Sequence, residues 1–405
     1  MKNGTGSHTK RINRHVGKLS KLALAICFSA TAVTATAGQT FQLGDSGDSS
    51  LTVGFGLRTD FTSLQDGAPN GTSASNTFAV DDSRLYINGQ LNNIVKGTFN
   101  TERDAAGNVV LMDGITQFEF NDNFNIWLGR LLPPSDRSNL DGPFYLNVWQ
   151  FPIVSQYPNV AIGRDNGVVI WGKPFAQKIV YSVGAFGGHN VGNGDSDASD
   201  SLLYAGRLAI NFLDPEPAPA YYTGSTYYGS KNILTLGIVF QYQQDGVGNS
   251  PATAGTYSSG NLDLLFEKML DGGGVATIEG AAYDYHLGAV DCGTTEPGSQ
   301  PCTTTGADIG GLVDGKAYLG TLEYMFADPV NLGGLSGKFQ PYVRFQQFNR
   351  TLSQTTEKQS DLGVNYIING PNARLTAVYS RLSDSQLVGN LANRNQFIFG
   401  VQYQY

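Results

Sequence analysis

The final nine residues constrain this chain more than any other stretch. Phe397, Phe399, Val401, Tyr403 and Tyr405 alternate with Ile398, Gly400, Gln402 and Gln404. Successive side chains of an extended strand point to opposite faces, so this run has one greasy face and one mostly small or polar face. A water-soluble protein seldom leaves such a face bare at its terminus. A membrane barrel requires it, with apolar side chains towards lipid and polar ones towards the lumen.

The period recurs upstream. Leu51, Val53, Phe55 and Leu57 alternate with Thr52, Gly54, Gly56 and Arg58, and Leu85, Ile87, Gly89 and Leu91 with Arg84, Tyr86, Asn88 and Gln90. Leu234, Leu236, Ile238, Phe240 and Tyr242 alternate with Thr235, Gly237, Val239 and Gln241. Such runs predict strands near 50–61, 77–91, 94–103, 109–120, 124–130, 165–172, 178–187, 201–212, 232–243, 257–268, 275–286, 316–326, 338–348, 359–368, 373–382 and 395–405. They number sixteen, an even count, as in single-chain bacterial barrels. Pro341 cannot donate to a ladder and is expected at a strand start or bulge.

Connection lengths alternate too. With both termini on one side, turns on that side read NN, NDN, DGGG and INGPN, residues that tight hairpins prefer. The opposite connections, such as QDGAPNGTSASN and GGHNVGNGDSDASD, are long, polar and glycine-rich. Two segments on the short side break this rule, DPEPAPAYYTGSTYYGS and DPVNLGGLSG.

Composition removes other classes. Charged residues make up 15%, while Gly numbers 51, Tyr 20 and Phe 22, too aromatic and too weakly charged for disorder. No run reaches the roughly 18 apolar residues of a membrane helix. No fixed-period repeat supports a solenoid or propeller. The expected fold class is all-β, a transmembrane antiparallel β-barrel of about 16 strands.

Residues 1–37 hold Lys2, Lys10, Arg11, Arg14, Lys18 and Lys21 but no acid, ahead of the apolar run LALAICFSATAV and Ala35-Thr36-Ala37. This reads as a signal peptide cut after Ala37, leaving 38–405 as the barrel domain; Ile26 before Cys27 argues against lipidation. Losing six cations and no acid moves the formal charge from −8 to −14. That is a poor balance for nucleic acid, whose phosphates need clustered Lys and Arg. Cys292 and Cys302 remain, in DCGTTEPGSQPC. In an oxidising compartment the pair reads as a disulfide, and a metal site there lacks further Cys or His nearby.

Between the fifth and sixth strands lies 131–160, with Pro133, Pro134, Pro143, Pro152 and Pro158 and the aromatics Phe144, Tyr145, Trp149, Phe151 and Tyr157. Too apolar to hang in water, it is expected to fold inward and narrow the lumen; the alternative packs it on a neighbouring subunit. Arg137 within it, with Arg130 and Arg164 at its ends, are the best-placed cations of such a constriction. The polar strand faces supply Arg58, Arg84, Lys96, Arg207, Arg344 and Arg374 as lumen cations. They also supply Asp60, Glu102, Glu119, Asp263, Glu267, Glu279, Glu323 and Asp361 as lumen acids. A charge is tolerated in a wet lumen, whereas Arg or Lys at mid-depth on a lipid face costs about 2–4 kcal/mol. The blander role for each is a salt bridge within the wall.

The stretch IWLGRLLPPSDRSNLDGPFYLNVWQFP, followed by AIGRDNGVVIWG, resembles the phosphate-selective porin family of Gram-negative outer membranes. The similarity is clearest over roughly 80–190. The resemblance implies a sixteen-stranded, trimeric, anion-conducting porin among outer-membrane lipids, passing small inorganic or organic solutes such as phosphate by diffusion. The family's dense arginine ladder and constriction lysine have no match here.

On this reading there is no reaction and no cofactor. An enzyme needs a nucleophile and a base; beyond the leader only His189 and His286 are histidines, and no G-x-S-x-G, H-E-x-x-H or P-loop pattern occurs. The other alternative is a secreted all-β adhesin with aromatic faces packed between two sheets. Such a core does not require short and long connections to alternate.

Overall fold

A sheet with one greasy and one wet face leaves unpaired edges unless it closes on itself, and this chain closes it. The computed structural model describes residues 38–44, 48–103, 107–157, 163–188, 201–247, 255–288, 314–351 and 353–405. The expected leader, His189 and the Cys292–Cys302 pair lie outside the described residues.

The chain opens with β1 (Gln39–Leu43) and β2 (Ser49–Leu64). Next come β3 (Ser75–Gln90), β4 (Val95–Arg103), β5 (Val109–Asn121) and β6 (Phe124–Leu131). After a short helix, α1 (Arg137–Tyr145), follow β7 (Asp165–Gly172), β8 (Ile179–Phe186) and β9 (Leu203–Asn211). β10 (Ile233–Val247), β11 (Gly255–Met269), β12 (Val275–Leu287) and β13 (Gly315–Met325) continue the wall. The stub β14 (Val330–Leu332) precedes β15 (Leu335–Arg350), β16 (Thr356–Asn369), β17 (Ala373–Asp384) and β18 (Asn393–Gln404). Neighbours pair antiparallel, β9 pairs β10 and β18 pairs β2, so sixteen strands form a closed barrel.

Those sixteen fall on the sixteen expected runs. The stubs β1 and β14, five and three residues long, are too short for alternation to reveal. β1 has a structural purpose. β18 covers β2 only as far as Gly56, and Tyr405 then exchanges both backbone hydrogen bonds with Phe55. Gln39 takes over opposite Val53, so β1 and β18 share one strand position.

Turn chemistry fixes the end at which β18 finishes, the terminal end. Asn92 Oδ1 accepts from the amides of Ile94 and Val95, and Asn121 Oδ1 from those of Asn123 and Phe124. Each mimics a backbone turn, as Asn side chains do. Pro341 lies inside β15 rather than at a strand start or bulge. The ladder between β13 and β15 pairs as far as Glu323–Tyr342 and resumes in the bond from the Phe326 amide to Phe339 O, so the missing N–H falls in the gap between them.

The faces separate cleanly. On β18, Phe397, Phe399, Val401 and Tyr403 are 39–46% exposed, while Ile398, Gln402 and Gln404 are at most 2%. Leu262, Leu322, Val343 and Leu362 continue the bare outer surface. Aromatic rings stand near both rims: Phe120, Phe124, Phe212, Tyr324 and Tyr403 at the terminal end, Phe78, Tyr204, Tyr242 and Tyr318 at the other. Apolar faces therefore point outwards from one closed sheet and not between two sheets, which overturns the sandwich core required by the adhesin alternative.

Candidate constriction of the lumen

A segment with Pro133, Pro134, Pro143 and Pro152 gives up backbone donors at four positions and must bury what remains against fixed acceptors and donors. Residues 132–157 do so inside the barrel. Leu132, Leu140, Val154 and Tyr157 pack with Tyr221, Tyr257, Tyr283, Tyr285 and Phe348, and Leu146, Val148 and Trp149 pack with Tyr342, Val378 and Ile398. α1 breaks at Gly142, whose left-handed φ of 61° precedes Pro143. Wall glycines make room. A Cβ at Gly56 would meet Phe144 Cζ at 2.7 Å, and one at Gly400 would meet the Trp149 ring at 2.6 Å.

Polar side chains from many strands hold the segment. Asn365 Nδ2 donates to Asn147 O at 2.9 Å, Gln402 Nε2 to Phe144 O at 2.9 Å, and Tyr285 OH to Val154 O at 2.9 Å. The Ile153 amide donates to Gln346 Oε1, and Asn147 Nδ2 donates to Glu323 Oε2. Asp136 accepts from Ser155 Oγ at 2.9 Å and Tyr283 OH at 3.1 Å. Burial, outweighing those donors, pushes the Asp136 carboxyl up to about 6.

A second segment, 213–232, enters from the terminal end and accounts for one of the two over-long connections. Tyr221 and Tyr222 pack on Trp127, and Tyr221 on Trp171, while Tyr221 OH donates to Leu132 O at 2.6 Å. Thr226 Oγ1 and the amides of Tyr227 and Gly229 donate to Glu267. The two segments meet at Arg137. Its Nη1 and Nη2 each reach a Glu216 carboxylate oxygen at 2.8 Å, and Nη1 also donates to Gly224 O at 3.0 Å. Asp141 accepts from Thr223 Oγ1 at 2.5 Å and Ser225 Oγ at 2.8 Å. Burial holds the Asp141 carboxyl well above the usual carboxylate range. Burial alone would raise Glu216 as well, but the Arg137 guanidinium overrides it and holds Glu216 low.

The expected lumen cations all lie on the inner face, and each is engaged. Arg58 Nη1 meets Asp82 Oδ2 at 2.6 Å, and Nη2 donates to Trp149 O. Arg84 pairs with Glu102 and lies 5.1 Å from the Phe144 ring centroid. Lys96 Nζ is 2.5 Å from Glu119 Oε2, a half-exposed pair near the terminal rim. Arg207 forks onto Asp263 at 2.5 and 2.7 Å. Arg344 Nε bonds Asp361 at 2.6 Å and Nη1 donates to Gln150 O at 2.8 Å. Arg374 Nη1 donates to Asn147 O at 3.1 Å, and its Nε and Nη2 have no hydrogen-bond partner among the described residues. Three wall arginines thus hold three backbone carbonyls of one four-residue stretch.

Of the three expected constriction cations, Arg137 and Arg164 are inside and buried, with Arg164 Nε 3.0 Å from Asp113 Oδ1. Arg130 is not brought to them. It stands in phase with the outward Phe124 and Leu128, donating to Asn166 Oδ1 at 3.3 Å and Leu111 O at 3.0 Å on the exposed face. The correction follows from the period itself: inward Trp127 and Leu131 differ from position 130 by odd steps. His286, one of the two histidines on which an enzyme reading would depend, is mostly exposed at a rim, with Nδ1 3.3 Å from Asp314.

Sequence reasoning missed Glu216, Thr223, Ser225 and Asp141. The signal was available in Tyr221, Tyr222, Tyr227 and Tyr228, because a connection that aromatic is no more stable in water than 131–160.

No known family profile matches this chain, and no curated protein matches it. Solved structures do. The anion-selective porin from Comamonas acidovorans is 13% identical with a TM-score of 0.56, covering 88% of this chain and 100% of its own. OmpF of Salmonella typhi, in complex with daunomycin, is 10% identical with a TM-score of 0.53, covering 90% and 100%. OmpT of Vibrio cholerae, an outer membrane protein solved in a trimer form, is 12% identical with a TM-score of 0.51, covering 88% and 100%. At such identities the likeness is one of fold.

Proposed function

We propose that this chain is an outer-membrane channel of a Gram-negative cell, letting small hydrophilic solutes diffuse down their gradients without a reaction or cofactor. One observation carries the reading: the closed barrel is apolar outside, between two levels of aromatic rings, and charged within. That is the polarity of a barrel whose outer solvent is hydrocarbon. On this reading the terminal end is periplasmic and the leader 1–37 is removed on export. Small solutes and membrane lipid are the partners, and assembly is as a homotrimer, which the trimer form of the Vibrio cholerae protein supports.

Anions, phosphate among them, are the proposed preference. Arg374 supports this, being buried with its Nε and Nη2 unengaged among the described residues. A cation preference is the second reading, favoured by Glu267, Glu279 and Glu323 on neighbouring inner faces. Rings of one sign select the opposite ion. Reversal potentials of the purified protein in a planar bilayer under a salt gradient decide between them, with phosphate and a sugar as competitors. Anion preference predicts a shift of the sign set by chloride and block by phosphate. The opposite sign establishes the second reading.

A further inference from the structure

We propose that Arg137 is the latch of a two-part bolt across the lumen, and that the barrel conducts when the latch parts and 213–232 withdraws towards the terminal end. This inference rests on the channel reading above and adds its regulation.

The bolt is built from opposite ends. Residues 132–157 come from the loop end and 213–232 from the terminal end. They interlock through the Arg137–Glu216 fork, through Thr223 Oγ1 donating to Arg137 O at 3.1 Å, and through the Ser225 amide donating to Tyr145 O at 3.2 Å. Charge makes Arg137 the critical member. Asp263, also beside Arg137, keeps Arg207 if Arg137 is lost. Glu216 is ion-paired, among the described residues, with Arg137. Removing the guanidinium leaves the buried Glu216 carboxylate without its ion-pair partner and held by the hydroxyl of Tyr227, which belongs to the same segment and travels with it. Such a charge leaves the protein interior for water if its chain can move.

The terminal-end segment is the half that can move. Its flanks at 212–213 and 230–232 are exposed, so Glu216 has a short route to solvent. Ala220 and Tyr228 bracket Thr223 and Ser225 with φ of 49° and 56°, left-handed conformations that side chains disfavour. The loop-end segment is held differently. Arg58, Arg344 and Arg374 grip the carbonyls of Trp149, Gln150 and Asn147, and none of those bonds passes through Arg137.

The test is single-channel recording of the purified full chain in planar bilayers, with heat-modifiable gel migration reporting the fold. Arg137→Met should raise the open-to-closed ratio on the order of a hundredfold, as stranding one partner of a buried pair does. Glu216→Gln, which keeps its shape, should shift the ratio the same way by less. Combining the two should bring the ratio back towards wild type, because the stranded charge is gone. Replacing 215–229 by a short Gly-Ser linker should hold the pore open and insensitive to Arg137→Met. Folded Glu216→Gln gating like wild type, or effects of the two substitutions that simply add, overturns the latch. Silence from every folded form, the linker variant included, overturns the channel itself.

Discussion

Arg58 grips Trp149 twice: its guanidinium carbon stands 4.1 Å from the indole ring centroid, and its Nη2 donates to the Trp149 carbonyl oxygen. Strand β2 thereby fixes the ring and the backbone of a segment ninety-one residues further along the chain. The residue that looks like a free lumen cation in sequence is a clamp in the fold.

Trp149→Ala removes the ring that fills the space above Gly400. A cation–π contact of this kind contributes about 0.5–2 kcal/mol, and the ring's packing adds to it. The expected outcome is a larger and noisier single-channel conductance with the barrel still heat-modifiable. An unchanged conductance means the ring does not restrict passage.

Gly400→Ala and Gly56→Ala attack the same seats from the wall. A methyl group at either position overlaps the Trp149 or Phe144 ring, and such overpacking costs about 1–3 kcal/mol. Both should lower the unfolding temperature in detergent and raise conductance, whereas Gly320→Ala, with nothing within 4 Å of the added carbon, should change neither.

Outside the barrel the sign of tolerance reverses. Phe399→Arg should cost about 2–4 kcal/mol of membrane stability if it lies near mid-depth, read from urea unfolding in lipid vesicles. Gln404→Arg, one face over, should cost far less. Equal penalties at both sites remove the assignment of faces.

Arg130→Ala should leave the reversal potential as in wild type, because that side chain stands in phase with Leu128 on the outer face. A shift in selectivity places the side chain in the lumen after all.

Asp136 supplies a pH dependence. Burial raises its folded-state pKa to about 6 from 3.8, so between those values the folded protein holds a proton that the unfolded chain has lost. Stability contributed by this group is therefore greatest below pH 3.8 and falls as pH rises to about 6. Thermal unfolding in detergent across pH 4 to 7 should show that decline, and Asp136→Asn should flatten it. A decline of the same size in the variant assigns it to other groups.

Much of the barrel is legible in the chain because a strand's side-chain direction depends only on whether a residue number is odd or even. Leu51 to Leu57, or Phe397 to Tyr405, declare their faces without any partner being known. Arg130 shows how strict that rule is: its parity with Leu128 places it outside, and reading it by charge alone misplaces it. β1 escapes notice because its role, completing the strand position of β18, exists only after the two ends of the chain have come together.

Local pattern therefore determined which side chains face a hydrocarbon-like exterior, how many strands cross, and that 131–160 would seek shelter. It could not determine what Arg137 touches. Glu216 is seventy-nine residues away and Asp263 one hundred and twenty-six. Their meeting depends on two irregular segments, entering from opposite rims, arriving at the same depth. An ion pair between groups so far apart in sequence is set by the three-dimensional path of the backbone, and only the closed barrel supplies that path.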